Sequence, residues 1–217
     1  MPPKFKFTKD EMISAALNVA RRNGIEAVTA RSIAKELGVS TQPVFTCFSS
    51  MEEAKREIVF AARGIFEEYV GNGLKERIPF FGYGRAYLKF AKEEPNLYKL
   101  LFLTAPDEWI DGAMAEMKRS QSELRASLVK IYNISGDEAD LFFRDLWLVV
   151  HSLATLIVTG CCPYTDEELG KILTGFSVSI CKAIKEIAGF SEENFDRDEV
   201  FAKLIEIKDT KDGKERE

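Results

Sequence analysis

Apolar positions recur at helical spacing along nearly the whole chain, separated by short polar connections, so the pattern predicts an all-α protein. The first stretch is the most sharply punctuated. Ile13, Ala16, Leu17 and Ala20 repeat three and four apart. Thr8 stands ahead of them with Glu11 three residues on, the spacing of a capping box. Gly24 ends this helix, because a C-terminal cap takes positive φ and only glycine does so without a clash, and Ile25 can fold back on the apolar face. Thr29 is placed to cap a second helix with Ile33, Ala34 and Leu37 facing inward. Gly38 makes a turn. Ser40 is expected to cap a third short helix, with Pro43 in the first turn, where a missing N–H does no harm. A longer helix follows from Glu52 to Val70, ending near Gly71-Asn72-Gly73.

Beyond that point the pattern predicts more helices. Pro79-Phe80-Phe81-Gly82 reads as a break, then Tyr83 to Lys92 as a helix that stops at Glu94-Pro95, since the residue before proline disfavours helix. Leu97 to Leu103 is short and apolar, Glu108 to Tyr132 long and fairly polar. Asp137 to Thr159 is strongly apolar on one side. Thr165 caps the segment from Asp166 to Ala188, with acids in its first turn as the helix dipole prefers. A last helix, Asn194 to Lys208, precedes a charged tail. The chain divides into a small domain over 1–50, a larger helical domain over 51–208 and a tail over 209–217.

Three short helices with a tight glycine turn before the last is the layout of a helix-turn-helix DNA reader, whose final helix enters the major groove. The residues that spell it are Gly24-Ile25, Val28-Thr29-Ala30-Arg31, Ile33-Ala34, Leu37-Gly38-Val39-Ser40, Phe45 and Phe48. In this order and spacing they resemble the tetracycline-repressor (TetR/AcrR) family of bacterial transcription regulators. Glu94-Pro95-Asn96-Leu97-Tyr98 is similar to a helix junction common in that family. Two positions depart from it. Phe45 stands where the family usually has a tyrosine, and Met51 where it commonly has a lysine; both changes delete phosphate contacts.

Residues at the start of the third helix reach base edges in such a reader. Gln42 can pair with adenine, and Thr41 offers a hydroxyl or a methyl to thymine. Thr46, one turn on, is placed for a phosphate, and Ser40 belongs to the same surface. Ser49 and Ser50, with the free N–H groups of the following helix, can hold a phosphate without the missing lysine. Phe45 would pack against sugar. The resemblance implies a phosphate contact for Thr29 and a base contact for Arg31. Lys4 and Lys6 form a possible N-terminal arm. Charge agrees: residues 1–50 carry seven Lys or Arg against four acids, in a chain of net charge −5. A basic reader on an acidic body presents one face to phosphates.

One short reading helix needs a second copy for specificity, so a homodimer on a double-stranded DNA operator is expected. The helices 137–159 and 165–188 carry apolar residues around more than one face, including Val149, Val150, Leu153, Ile157, Phe176, Val178, Ile180 and Ile184, and are expected to form the dimer interface. The resemblance also implies a small-molecule effector inside the larger domain. Its expected lining is aromatic: Tyr87, Phe90, Tyr98, Phe102, Trp109, Phe143 and Trp147, with His151 the chain's only histidine. A second reading is a ligand-binding or interaction protein with weakened DNA binding.

Composition narrows the remaining classes. The four cysteines, Cys47, Cys161, Cys162 and Cys181, form no C-x-x-C pair and have no histidine nearby in sequence, so no metal or cofactor is expected. Adjacent Cys161-Cys162 allows a redox role, but inert thiols are the plainer reading. No nucleophile elbow, metal triad or phosphate-cradling glycine loop is present, so the chain does not read as an enzyme. No apolar run reads as a membrane span and the start lacks a signal-peptide pattern, which points to a cytoplasmic protein.

Overall fold

The computed structural model describes residues 7–106, 108–192 and 194–212. Within them every regular element is helical: α1 Lys9–Asn23, α2 Ala30–Leu37, α3 Gln42–Cys47, α4 Met51–Gly73, α5 Pro79–Glu93, α6 Pro95–Tyr98, α7 Gly112–Tyr132, α8 Gly136–Val158, α9 Asp166–Glu186 and α10 Arg197–Asp212. A 3₁₀ turn covers Ile25–Ala27 and a π-helical turn covers Lys99–Leu103.

The expected start and stop signals act where the sequence puts them. Thr8 and Glu11 close a capping box on α1, and Thr29 does the same for α2 with Ser32 as its partner. Gly24 has φ 84° and Gly38 φ 66°, the positive values that favour glycine. Helix α8 begins with a box between Ser135 and Glu138, and α9 with one between Thr165 and Glu168.

Several boundaries differ. Ser40 does not cap α3; Thr41 is its N-cap and makes no side-chain capping bond. Gly71, Asn72 and Gly73 do not stop α4, which runs through them. Pro79 opens α5 instead of breaking it, since the first helical position needs no N–H. The turn between α4 and α5 is tight because Gly73 and Gly82 touch through their backbones: a Cβ on either would strike the other's carbonyl oxygen. Helix α7 begins at Gly112, four residues later than expected, and α10 runs on to Asp212, through the first part of the expected tail.

The reader is a bundle of α1, α2 and α3 around Met12, Ala16, Val19, Ile33, Val44 and Phe48, all buried. The first turns of α4 complete it through buried Ala54 and Ile58, so one continuous helix joins reader to body. In the body α5 lies at the centre, packed on α4, α8 and α9, while α7 packs on α8. Helix α8 is long and apolar enough by composition to cross a membrane, which the sequence reading did not anticipate. Here its apolar face, with Phe142, Phe143, Leu146, Trp147 and Val150, is buried against those neighbours.

Candidate nucleic-acid interface and regulatory body

Helix α3 projects its polar side away from the reader core. Val44 and Phe48 anchor it at 0% and 2% exposure, while Gln42, Phe45 and Thr46 are exposed. Gln42 and Arg31 form no side-chain hydrogen bond or ion pair among the described residues, so their donors remain available to a partner. Thr41 lies half-buried at the N-terminus of α3. Thr46 Oγ1 donates to Gln42 O at 2.9 Å, which leaves it an acceptor lone pair. Thr29 Oγ1 accepts from Ser32 N at 3.1 Å and sits exposed at the start of α2 beside exposed Arg31. Ser40 is exposed in the turn between α2 and α3.

The start of α4 is different. Ser49 N and Ser49 Oγ both donate to Glu53 Oε2, at 2.7 and 2.6 Å, and Ser50 Oγ accepts from Glu53 N at 3.1 Å. These bonds from Ser49 hold the Glu53 carboxyl below its usual pKa. The chain's own acid therefore occupies the place where Ser49 and Ser50 were expected to take a phosphate. Lys9 pairs with Glu53 at 3.7 Å and Glu57 at 2.5 Å, bracing α1 against α4. Met51 is half-buried against the core, and Phe45 stands out at 61% exposure. Lys4 and Lys6 lie outside the described residues.

This geometry has relatives. Residues 12–54 match the model of bacterial regulatory proteins of the tetR family, and residues 80–171 the model described as tetracyclin repressor-like, C-terminal domain. An uncharacterized HTH-type transcriptional regulator of Mycobacterium tuberculosis is 20% identical over 166 residues, covering 75% of this chain and 76% of the relative. Two solved regulators from Rhodococcus sp. share the fold. One, TetR-like, has a TM-score of 0.58 at 13% identity over 78% of this chain and 93% of its own. The other has a TM-score of 0.52 at 21% identity over 82% and 97%.

The chain belongs to the TetR family.

In this TetR-family body, seven of the eight residues expected to line an effector site gather in one cluster. Tyr87, Phe90, Tyr98 and Phe143 are fully buried, with Trp147 at 1% and Phe102 at 7%. Tyr87 is the hub. Its ring centroid lies 5.4 Å from Phe102, 5.8 Å from Tyr98 and 6.0 Å from Trp147. His151 stacks on Trp147 at 4.9 Å and 6°, and its Nδ1 lies 3.0 Å from both Tyr87 and Tyr98 hydroxyls. Burial lowers the His151 pKa and favours the neutral ring. The rings fill one another's space. Trp109 is not among them: it is 39% exposed, under the Arg56 guanidinium of α4, 3.8 Å from its ring.

The sequence reading missed several members of this interior. Phe66 of α4 touches Tyr87, Phe90 and Phe102, and its place among buried Ala62 and Val70, four residues either side, was a legible signal. A polar chain also went unseen. The Tyr83 hydroxyl lies 2.8 Å from Ser120 Oγ, which donates to buried Glu116 at 2.7 Å. Arg119 donates to Glu116 at 2.9 Å and to Asp111 at 2.7 Å, and Arg63 of α4 meets Asp111 at 2.9 Å. Nor was the joint between reader and body foreseen. Arg21, near the end of α1, donates to both carboxylate oxygens of Glu94, and Asn96 Nδ2 donates to Arg21 O at 2.8 Å.

The expected interface residues separate into two sets. Val150, Leu153 and Ile184 are 3, 7 and 6% exposed and belong to the chain's own core, not to an outer face. The rest keep accessible surface: Val149, Ile157 and Ile180 are half-buried and Phe176 and Val178 are 48 and 53% exposed, while Leu148 and Leu156, not among the expected residues, are 45 and 37% exposed on α8.

Proposed function

We propose that this TetR-family protein is a homodimeric repressor that binds a pseudo-palindromic operator and is released from it by a small, largely apolar molecule bound by each body. The observation that carries the DNA reading is α3 itself: a buried anchor at Val44 and Phe48 behind an exposed polar edge at Gln42 and Thr46, with Arg31 beside it. Thr41, Gln42 and Arg31 read base edges; Thr29 and Thr46 contact phosphate; Ser40 and Phe45 pack against the backbone sugars. Ser49 and Ser50 serve the helix cap first, so phosphate there must compete with Glu53.

Dimerisation follows from the outer face of α8 and α9, where Leu148, Leu156 and Phe176 leave large apolar side chains in water. Replacing Leu148 and Phe176 together by glutamate should give a folded monomer in sedimentation. A wild-type chain that sediments as a monomer at micromolar concentration contradicts the dimer.

The deciding experiment is selection of bound fragments from the host's genomic DNA, followed by gel shift on the enriched site at two salt concentrations. Salt-sensitive binding to a two-fold symmetric site supports the reading. Uniform weak binding to all fragments favours an interaction protein with a weakened reader, the alternative motivated by Phe45 and Met51.

A further inference from the structure

The aromatic interior is packed ring against ring, and a trough runs along the outside of the body between α5 and α9. It consists of two cavities of about 350 and 330 Å³ that meet at Leu173, in the size range of small-molecule sites. The two ends differ. At the reader-facing end, Arg85, Lys89 and Lys92 recur along one side of α5 above Leu88 and Leu169. At the far end the walls are Phe80, Phe81, Leu146, Val150 and Val178.

Two glycines set the trough's width. Gly84 of α5 and Gly170 of α9 both line it, inside helices where glycine is among the poorest formers. Neither has positive φ. A Cβ on Gly84 would lie in ordinary contact, 3.5 Å from Val150 and 3.6 Å from Leu173, and one on Gly170 would meet nothing within 4 Å. Gly73 and Gly82 are required by touching backbones; Gly84 and Gly170 are not. Gly170 lines the reader-facing cavity and Gly84 the far one, so a large side chain at either would take up trough space.

Leu148, Leu156 and Phe176, the residues assigned to the dimer, do not line the trough, whereas Ile157 and Val178 of the same two helices do. At about 100° per residue, Thr174 in the trough and Phe176 on the outer face point to opposite sides of α9. The cations make ion pairs near the surface, Lys92 with Asp166 at 3.0 Å, Lys89 with Glu93 at 3.9 Å and Arg85 with Glu76, and Arg85 and Lys89 also lie over the Phe81 and Tyr69 rings. Such pairs contribute little, and an incoming carboxylate can replace them.

We propose that this trough binds a single-chain aliphatic carboxylate, with its head on Lys89 and Lys92 and its chain past Gly84 and Leu173 toward Phe80. Lys92 lies two residues before Glu94, which holds Arg21 of the reader, so an occupied head site bears on the joint between body and reader. The inference gives the effector's class and seat, and to that extent rests on the release reading above.

The test is calorimetry of the full chain without DNA, titrating decanoate, decanol and decylamine below their micelle thresholds. Decanoate should saturate at one per chain and exceed decanol and decylamine by about tenfold. Gly170→Leu and Gly84→Leu should each weaken decanoate by at least about tenfold while the protein stays helical. Gly170 has free space around it, so that variant serves if Gly84→Leu fails to fold. Lys89→Gln with Lys92→Gln should erase the preference for decanoate over decanol. Absence of saturable decanoate binding, equal affinity for decylamine, or unchanged affinity in Gly170→Leu overturns the proposal. Operator binding is then measured separately with decanoate present. Saturable binding that leaves operator affinity unchanged supports the trough as a site and overturns the release reading.

Discussion

The edge of α3 and the aromatic interior of the body are opposites in how far their chemistry is already spent. On α3, Gln42 and nearby Arg31 carry donors that nothing among the described residues uses, on a helix fixed from behind by Val44 and Phe48. In the body, the Tyr87 and Tyr98 hydroxyls are engaged with His151 Nδ1, and their rings pack edge to face. A surface built for an outside partner leaves polar groups free, because water satisfies them until the partner arrives. An interior cannot leave them free, because a buried unpaired group is costly. One exception stands out: Trp147 Nε1 is buried without a hydrogen-bond partner among the described residues.

The comparison breaks first under large-to-small changes. Phe66→Ala should cost about 3–5 kcal/mol of stability, because it removes a ring that touches three others and leaves a cavity. Thermal or denaturant unfolding measures this. A loss below about 1 kcal/mol would mean the cluster is loosely packed and open to ligands.

On the reader the effect should appear in binding alone. Gln42→Ala is expected to cost about 1–3 kcal/mol on the operator and to relax preference at one position per half-site, with the melting temperature unchanged. Equal loss on every sequence would show that Gln42 is a phosphate contact. Met51→Lys sharpens the same contrast: binding should tighten on all sequences alike.

The joint between the regions is a smaller lever. Glu94 is 6% exposed and Arg21 partly exposed. Glu94→Ala should cost about 1–2 kcal/mol, discounted from a fully buried pair because water reaches the arginine. A double-mutant cycle with Arg21→Ala should show coupling; additive losses would mean the pair does not brace reader against body.

The smallest effect is on alkaline stability. Burial, then the hydrogen bond to Glu93, raises the Tyr69 pKa to about 12 from 10.0. A raised folded value means the contribution is fully present below pH 10 and is lost as pH rises toward 12. Tyr69→Phe should flatten the pH dependence of unfolding in that window. An unchanged profile would show that Tyr69 is not the group responsible.

How much was legible follows the range of the interactions. Thr8, Gly24, Thr29 and Gly38 act on backbone within a few residues of themselves, so the reader's helices and turns were readable from spacing. Pro79 was misread because proline opens a helix as readily as it stops one, and only the close approach of Gly73 to Gly82 shows which. Ser49 and Ser50 were read as phosphate ligands because their hydroxyls face a helix start. That the Glu53 carboxylate had already taken Ser49 depends on where a side chain four residues away turns, while Ser50 accepts from the Glu53 backbone N–H.

By itself the sequence determined an all-α chain with a helix-turn-helix reader and a larger helical body, because periodicity, caps and glycine turns are local. Only the tertiary structure decided which apolar residues face inward and which remain exposed. Val150 and Leu148 lie two residues apart on α8 with the same hydrophobic character; one is core and the other is surface. That distinction is set by where α5 and α9 pack against α8, contacts between helices that no local pattern pairs. The same packing closed the aromatic cluster and left the trough beside α5 open.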